Sequence, residues 1–224
     1  ECKVCVADCV IIQTVFTGEK VYQMYVRDAH AHAEKMWNAV LVAGEEFGLM
    51  VIAPAHHRRI AACILSWGQD LDHETSPFQV NLSYQVPRNK KSDYIGKEEL
   101  ERQRAIIDEG NAPFKMKMVG ITLGGKEITN YAPDFWLVTD TDDKEVGYVT
   151  SPWWSPELET NIALAWVPWE ASEVGTKYKV KLPDEYSETP GVSVDAEIVD
   201  VPFRESVNPN KREVQAAKGL DFAD

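Results

Sequence analysis

Six short stretches in the second half of the chain decide the fold. In chain order they are FKMKMVGITL (114–123), FWLVTD (135–140), EVGYVTS (145–151), NIALAWVP (161–168), TKYKVKL (176–182) and VSVDAEIVDVPF (192–203). Their apolar residues largely alternate with polar ones, and Gly, Pro and Asp separate them. Closely spaced short strands of this kind are typical of a small antiparallel barrel or sandwich. We therefore predict a C-terminal β-barrel domain over residues 93–205 and a polar tail over residues 206–224.

The first part of the chain mixes strands with helices. Residues 9–16 and 21–26 predict a hairpin around the turn sequence TGEK (17–20). Further elements follow in this order: a helix from the capping residue Asp28 to about Phe47, a strand over 49–53, a helix over about 56–67, a loop-rich stretch over 70–92 and a helix over about 97–108. This order predicts an α+β fold, with residues 1–92 forming a partial α+β lobe.

Apolar spacing predicts which helix faces are buried. In the first helix, residues three and four positions apart predict a buried face of Ala33, Trp37, Val40, Leu41 and Gly44. In the second helix, the same spacing predicts a buried face of Ile60, Cys63, Ile64 and Trp67.

Composition excludes several classes of protein. The chain of 224 residues carries a formal charge of −13, which repels a phosphate backbone, so we expect no nucleic-acid partner. No run of about 18 apolar residues is present, so we expect no membrane span. The four cysteines are too few and too clustered for a disulfide scaffold, which favours a reducing, cytoplasmic location.

Metal chemistry is not favoured by any motif. Cys2, Cys5 and Cys9 lack a fourth ligand on a second knuckle, and we expect no metal there. Asp70, Asp72 and Glu74 resemble the opening of a calcium loop, but the glycine at position six and the glutamate at position twelve of such a loop are absent. The sequence also has no phosphate loop, dinucleotide fingerprint or nucleophile elbow.

Four basic or titratable residues follow one another at the predicted start of the second helix. His56, His57, Arg58 and Arg59 would oppose the helix dipole there. This arrangement indicates either a nearby anionic partner, such as a carboxylate, or a solvated surface turn.

Several segments resemble the aminomethyltransferase (glycine-cleavage T-protein) superfamily. They occur in the family's order and are RIAACILSWGQDLD (59–72), SPF (76–78), YIGKEEL (94–100), GYVTS (147–151), NIALAWVP (161–168) and VPF (201–203). Within the superfamily the chain looks closest to the tetrahydrofolate-dependent demethylases, of the vanillate or syringate O-demethylase or dimethylsulfoniopropionate demethylase type. The resemblance extends over about residues 15–205.

The resemblance implies a tetrahydrofolate site. It places Gln23 where the family has a pterin-gripping glutamate, with Tyr25 on the same strand face and Arg59 steadying a carboxylate, either that of the folate tail or an internal one. Gln23 can still hydrogen-bond the pterin, but without a charge. Ala61 also departs from the family, which has a glutamate there. No catalytic residue is identified.

The function implied is transfer of a methyl group from a small donor, an aryl methyl ether being favoured, to tetrahydrofolate. Two alternatives stay open: the aminomethyltransferase of glycine cleavage, and a non-catalytic folate-binding or regulatory module of the same fold. The chain resembles the C-terminal half of the family, so we expect the N-terminal half to be supplied in cis or by a separate chain. The identity of the methyl donor and the oligomeric state are not predicted.

Overall fold

The computed structural model describes residues 2–4, 7–14, 17–53, 55–88 and 90–204. Contacts divide the chain into a first unit, Glu1–Arg59, and a second unit, Ile60–Asp224. The sequence-predicted domain boundary lies between residues 92 and 93 instead, and as a statement about independent folding it stays a prediction. The predicted polar tail over 206–224 lies outside the described residues.

The first unit contains a three-stranded antiparallel sheet and a helix. Its strands β1 (Cys2–Val4), β2 (Ala7–Thr14) and β3 (Val21–Val26) pair in chain order. The predicted hairpin is therefore confirmed, with Gly18 in its turn at φ 77°, a value that favours glycine. Helix α1 (Ala29–Gly44) follows, and a 3-10 turn, Glu45–Phe47, extends it to Gly48.

The predicted buried face of α1 is wrong at Trp37 and omits Met36, whereas Ala33, Val40, Leu41 and Gly44 are half-buried. Met36 is the buried residue of the helix, and it packs with Ala7 and Cys9 of β2. Trp37, placed on the buried face by sequence, is 52% exposed, because the sheet covers the face that carries Met36. Asp28 precedes α1 in the left-handed region and makes no side-chain cap, so its predicted capping role is also wrong.

Two predicted elements at the end of the first unit differ from the structure. Residues 49–53 form no strand, because no described strand pairs with them. Helix α2 covers only His56–Ala61 and not 56–67, since Cys63 turns into the left-handed region at φ 55°. Trp67, predicted on the buried face of this helix, is exposed beyond its end.

The second unit contains a closed antiparallel barrel, as the alternating strands predict. Its strand order is β4-β7-β6-β5-β8-β9, and β9 closes the barrel on β4. The strands are β4 (Met116–Leu123), β5 (Trp136–Thr139), β6 (Glu145–Ser155), β7 (Thr160–Pro168), β8 (Lys177–Val180) and β9 (Val194–Val199). Helix α3 (Lys97–Asp108) precedes them, in agreement with the predicted helix over 97–108. The α+β class with a small β-barrel is confirmed.

Two apolar cores lie in the second unit. The larger one is built from inward-facing barrel residues, including Val138, Val149 and Ala165. The smaller one joins Ile60 and Val80, which precede the barrel, to barrel side chains such as Leu164. Residues 60–82 are therefore packed on the barrel wall.

Candidate functional site

Gln23 and Tyr25, two of the sequence-predicted site residues, lie together on one face of the hairpin. Both belong to β3 and are two positions apart, so their side chains leave the sheet on the same side. The Tyr25 hydroxyl donates a hydrogen bond to Oε1 of Gln23 at 2.7 Å, in an exposed position. This pair offers a ligand the two amide hydrogens of Gln23 and the remaining lone pair of its oxygen.

The pairing of β2 with β3 places two apolar residues beside Gln23 and Tyr25. Val10 lies opposite Tyr25, and Ile12 lies opposite Gln23, in the antiparallel ladder between β2 and β3. Directly opposite residues share a face of the sheet, so this face of the hairpin carries both apolar and hydrogen-bonding groups. Such a mixed surface suits a flat heterocycle with a polar edge.

An ion pair fixes the turn of the same hairpin. Nη1 of Arg58 donates to Oε2 of Glu19 at 2.9 Å, with both side chains about two-fifths exposed. Glu19 belongs to the TGEK turn, so the predicted carboxylate partner of the basic cluster is confirmed for Arg58. Because the pair is partly solvated, it contributes only about 0–1 kcal/mol and serves mainly to orient the turn.

Arg59, the third sequence-predicted site residue, is buried rather than solvated. Its side chain is 6% exposed, and its Nε donates to Nδ1 of His56 at 3.5 Å. Burial, and then the positive charge of Arg59, hold the pKa of His56 below its usual value. His56 is therefore a neutral acceptor near pH 7, which leaves Arg59 as the cation of this pair.

A buried carboxylate in the second unit was missed as a partner by sequence reasoning. Asp70 is 1% exposed and accepts hydrogen bonds from the hydroxyls of Thr150 at 2.6 Å and Ser151 at 2.5 Å, and from the backbone N–H of Ser66 at 2.7 Å. Its backbone carbonyl accepts a further bond from Nε1 of Trp166 at 3.0 Å. Asp70 therefore ties the loop after α2 to two barrel strands.

A bulge in β6 makes this arrangement possible. The pairing of β6 with β7 shifts register between Val149 and Ser151, so Thr150 has no cross-strand partner there. A bulge redirects side chains, and here Thr150 and Ser151 both reach Asp70. One signal for this contact between Asp70 and β6 was present in the sequence: the segments WGQD (67–70) and VTS (149–151) both belong to the resemblance. Because the two segments are about 80 residues apart, the sequence does not show that they touch.

The thiol of Cys63, next to Asp70, has low reactivity near pH 7. Burial, and then the negative charge of Asp70, raise the pKa of Cys63 to about 12. A thiol that stays protonated near pH 7 is a poor nucleophile. Cys63 is therefore not a candidate catalytic residue.

No group of His, Cys, Asp and Glu side chains in the described parts of the chain is arranged to hold a metal ion. Cys9, one of the three N-terminal cysteines, is buried against Met36, with 3.6 Å between their sulfurs. Cys5 and the side chain of Cys2 lie outside what the structure describes. Asp72, from the calcium-like segment, instead accepts the backbone N–H of Glu74 at 2.9 Å within a local turn.

None of the helices described is long and apolar enough to cross a membrane.

Two family models match this chain one after the other. Residues 1–90 match the family described as the GCVT N-terminal domain, and residues 116–204 match the glycine cleavage T-protein C-terminal barrel domain. The second match coincides with the barrel strands β4–β9. Residues 1–90 and 116–204 therefore correspond to two domains of the glycine-cleavage T-protein family.

Two relatives similar to this chain are named aminomethyltransferases. An aminomethyltransferase of Geobacillus sp. is 30% identical over 195 residues, which are 86% of this chain and 48% of the relative. One of Oceanobacillus iheyensis is 32% identical over 178 residues, 79% of this chain and 45% of the relative. The chain thus spans about half the length of these curated relatives.

A solved structure has a similar fold. The crystal structure of the glycine cleavage system aminomethyltransferase T from Bartonella henselae superposes with a TM-score of 0.64 at 18% identity, over 88% of this chain and 50% of that chain. At this identity the similarity concerns the fold alone.

Proposed function

We propose that this chain forms part of a tetrahydrofolate-dependent one-carbon transferase, and that aminomethyl transfer of the glycine-cleavage type is its reaction. The observation that carries the proposal is the succession of the two T-protein family matches over residues 1–90 and 116–204. The relatives quoted above are named aminomethyltransferases, which favours this reaction over methyl transfer from an aryl ether. Because the chain spans about half of their length, the activity belongs to a protein that includes the remaining half.

The proposed folate contacts are Gln23, Tyr25 and Arg59. The edge of a pterin carries hydrogen-bond donors and an acceptor. The Gln23–Tyr25 pair can match them, because Gln23 has a free lone pair on its oxygen and two amide hydrogens. Val10 and Ile12 lie on the same face of the hairpin and suit the apolar ring surface. Arg59, as the cation beside neutral His56, suits a folate carboxylate.

Bound tetrahydrofolate would supply the nitrogen nucleophile that accepts the one-carbon unit. The chain's own residues orient it: Tyr25 holds the amide of Gln23 through its hydroxyl, and the Arg58–Glu19 pair holds the turn that joins β2 to β3. A hydrogen-bonding side chain that is already held in place contributes more to binding affinity than a mobile one, because no conformational entropy is lost in ordering it when the ligand binds. These residues bind and position, and none of them is assigned as an acid or base.

Demethylation of an aryl methyl ether is the second candidate reaction. Gln23 stands where the T-protein family has a glutamate, and the segment PDEYSETPG (183–191) is similar to the O-demethylase branch. The presence of Gln23 and Ala61 at two positions where the family has glutamates also suits a non-catalytic folate-binding module. The two enzymatic readings share the folate contacts and differ in the donor, so only turnover with each donor separates them.

The folate proposal is tested by calorimetric titration with tetrahydrofolate. The protein used is this chain joined behind the N-terminal half of the Geobacillus aminomethyltransferase. We expect saturable binding, which Gln23→Ala weakens about tenfold because a hydrogen bond made in a desolvated site is lost. Gln13→Ala is the matched control, since Gln13 lies on β2 opposite Tyr22, on the other face of the hairpin.

Turnover then distinguishes the reactions. The same joined protein is supplied with an aminomethylated lipoyl carrier or with vanillate, and folate products are measured. Product from the carrier alone supports aminomethyl transfer, and product from vanillate alone supports the demethylase reading. Folate binding without product from either donor supports the binding module.

A further inference from the structure

A cleft in the second unit, apart from the proposed folate contacts, brings charges of both signs together. It lies where the chain leaves α3, where β4 begins and where the 3-10 turn Trp169–Ala171 follows β7. Its volume is about 680 Å³, which is within the range of small-molecule sites. The residues that give it its chemical character are Asn111, Lys117, Trp169, Glu170, Ser172 and Glu173.

The ammonium group of Lys117 has a defined position in the wall of this cleft. Lys117 lies on β4 opposite Val167 of β7, and its Nζ is 5.2 Å from the centroid of the Trp169 ring. Trp169 is itself held in place, because its backbone N–H donates to the carbonyl of Lys115 at 2.9 Å and its ring lies 6.2 Å from that of Phe114. The cation therefore stands over a fixed aromatic surface.

The charge of Lys117 lacks an acidic partner among the residues that the structure describes. Its side chain is half-buried, and burial lowers the pKa of Lys117 below its usual value. Within those residues its Nζ makes no ion pair and no hydrogen bond, and the ring of Trp169 offsets only part of the cost of burial. An anionic group bound here would stabilise the ammonium, which still has N–H donors to offer.

Two carboxylates determine which anions suit the cleft. Glu170 and Glu173 are exposed, line the same cleft as Lys117 and form no ion pair with any described residue. They would repel a multiply charged anion such as a phosphate. A small ligand that carries a cation as well as an anion matches both signs of charge.

The remaining lining residues fit the rest of such a ligand. The hydroxyl of Ser172 donates to the carbonyl of Trp169 at 2.7 Å, so its oxygen is left as an acceptor for an ammonium group. Ala112 and Val174 also line the cleft and supply apolar surface for a side chain.

We propose that this cleft binds a free α-amino acid with an apolar side chain, its carboxylate on Lys117 and its ammonium group on Glu170 and Glu173. The site goes beyond the proposed function, because it lies wholly in the second unit and uses none of the folate contacts.

Ligand-detected NMR titration of the 224-residue chain tests the proposal. The probes are L-alanine, L-valine and L-leucine, and two analogues of leucine: L-leucinamide lacks the carboxylate, and N-acetyl-L-leucine lacks the ammonium group. We expect saturable binding of at least one amino acid, and both analogues should bind about tenfold or more weaker than L-leucine, because each loses a charge-assisted contact. Absence of binding by all three amino acids, or an analogue that binds as well as L-leucine, would overturn the proposal.

Variants of Lys117 test the carboxylate contact. Lys117→Met keeps the length of the side chain without its charge and should weaken amino-acid binding about tenfold or more. Lys117→Arg should stay within about threefold of wild type, since a guanidinium also pairs with a carboxylate and lies over an indole ring. Lys115→Met is the matched control, because Lys115 is exposed and outside the lining, and it should bind as wild type does. Equal losses in Lys115→Met and Lys117→Met would contradict the proposal.

The ammonium contact has its own test. Glu173→Gln should weaken the binding of L-leucine but not that of N-acetyl-L-leucine, which has no ammonium group to lose a partner. Equal weakening of both probes would overturn the assignment, and this comparison holds even where Lys117→Met fails to fold. Thermal unfolding of each variant identifies those that are folded. No folate is present in any arm, so failure here is distinct from failure of the proposed function.

Discussion

Thr150 donates its hydroxyl hydrogen to the buried carboxylate of Asp70 at 2.6 Å, across 80 residues of sequence. Ser151 and the backbone N–H of Ser66 donate to the same carboxylate. The barrel and the loop after α2 are therefore linked through one side chain. Buried networks of this kind are costly to break, because each orphaned partner keeps its desolvation penalty.

The Asp70 network predicts a large loss of stability on truncation. Asp70→Ala should lower the free energy of unfolding by about 3 kcal/mol, since it removes the buried carboxylate to which two hydroxyls and one amide donate. Asp72→Ala is the control, because Asp72 is exposed and its hydrogen bonds stay within a local turn, and it should cost under about 1 kcal/mol. Urea denaturation measures both, and equal losses would contradict the assigned role of Asp70.

The raised pKa of the half-buried Cys63 thiol predicts a pH dependence of stability. The pKa of Cys63 is raised from 9.0 to about 12, so the unfolded chain loses this proton at lower pH than the folded one. Its contribution is therefore fully present below pH 9 and declines as pH rises from about 9 toward 12. Unfolding of wild type and Cys63→Ala between pH 8 and pH 10.5 should show a steeper decline in wild type; identical slopes would contradict the prediction.

Gly120 lies on β4 at a position that has no room for a side chain. A Cβ there would lie 2.2 Å from Cγ1 of Val201 and 2.9 Å from Cζ of Phe203, so Gly120→Ala should cost about 1–3 kcal/mol. At Gly124 the nearest atom, Cβ of Val194, would be 3.7 Å away, and Gly124→Ala should cost much less. Thermal unfolding compares the two; a Gly120→Ala protein as stable as Gly124→Ala would mean that residues 201–203 do not pack on β4.

Limited proteolysis tests the domain organisation. The sequence predicts a barrel domain that begins at residue 93, but Ile60 and Val80 pack with barrel residues, which moves the expected start of the resistant core to about residue 60. We expect the first cuts within residues 1–59, where the sheet has three strands and residues 47–53 are open. Mass spectrometry of the fragments identifies the boundary. A resistant first unit with a digested barrel would contradict the assignment.

The barrel could be predicted from sequence, because each strand carries its own signal in alternation and turn residues. Residues 49–53 show where this reasoning ends: their composition favours a strand, yet a strand needs a partner, and none is described. Helix α2 ends early for a reason equally invisible in periodicity, the left-handed backbone at Cys63. Local pattern indicates what a segment can form, and pairing decides whether it does.

The candidate site was predictable in part. Gln23 and Tyr25 could be placed on one face because strand geometry fixes it, and the structure adds the hydrogen bond between them. Arg58 and Glu19 form an ion pair that a run of basic residues only suggested. The Asp70 cluster was missed because it depends on a bulge at Thr150 and on contacts between distant segments. The assignment of Gln23, Tyr25 and Arg59 to folate stays a proposal.

The most direct test of the central claim is a tetrahydrofolate titration that compares Gln23→Glu with wild type in the joined protein, with this chain alone as a reference. The account predicts that the chain alone binds weakly or not at all and that the joined protein binds. It also predicts that Gln23→Glu tightens binding by about 1 kcal/mol, because a charged acceptor makes the stronger hydrogen bond. Micromolar binding by the chain alone, or an affinity of the joined protein that Gln23→Glu leaves unchanged or weakens, would contradict it.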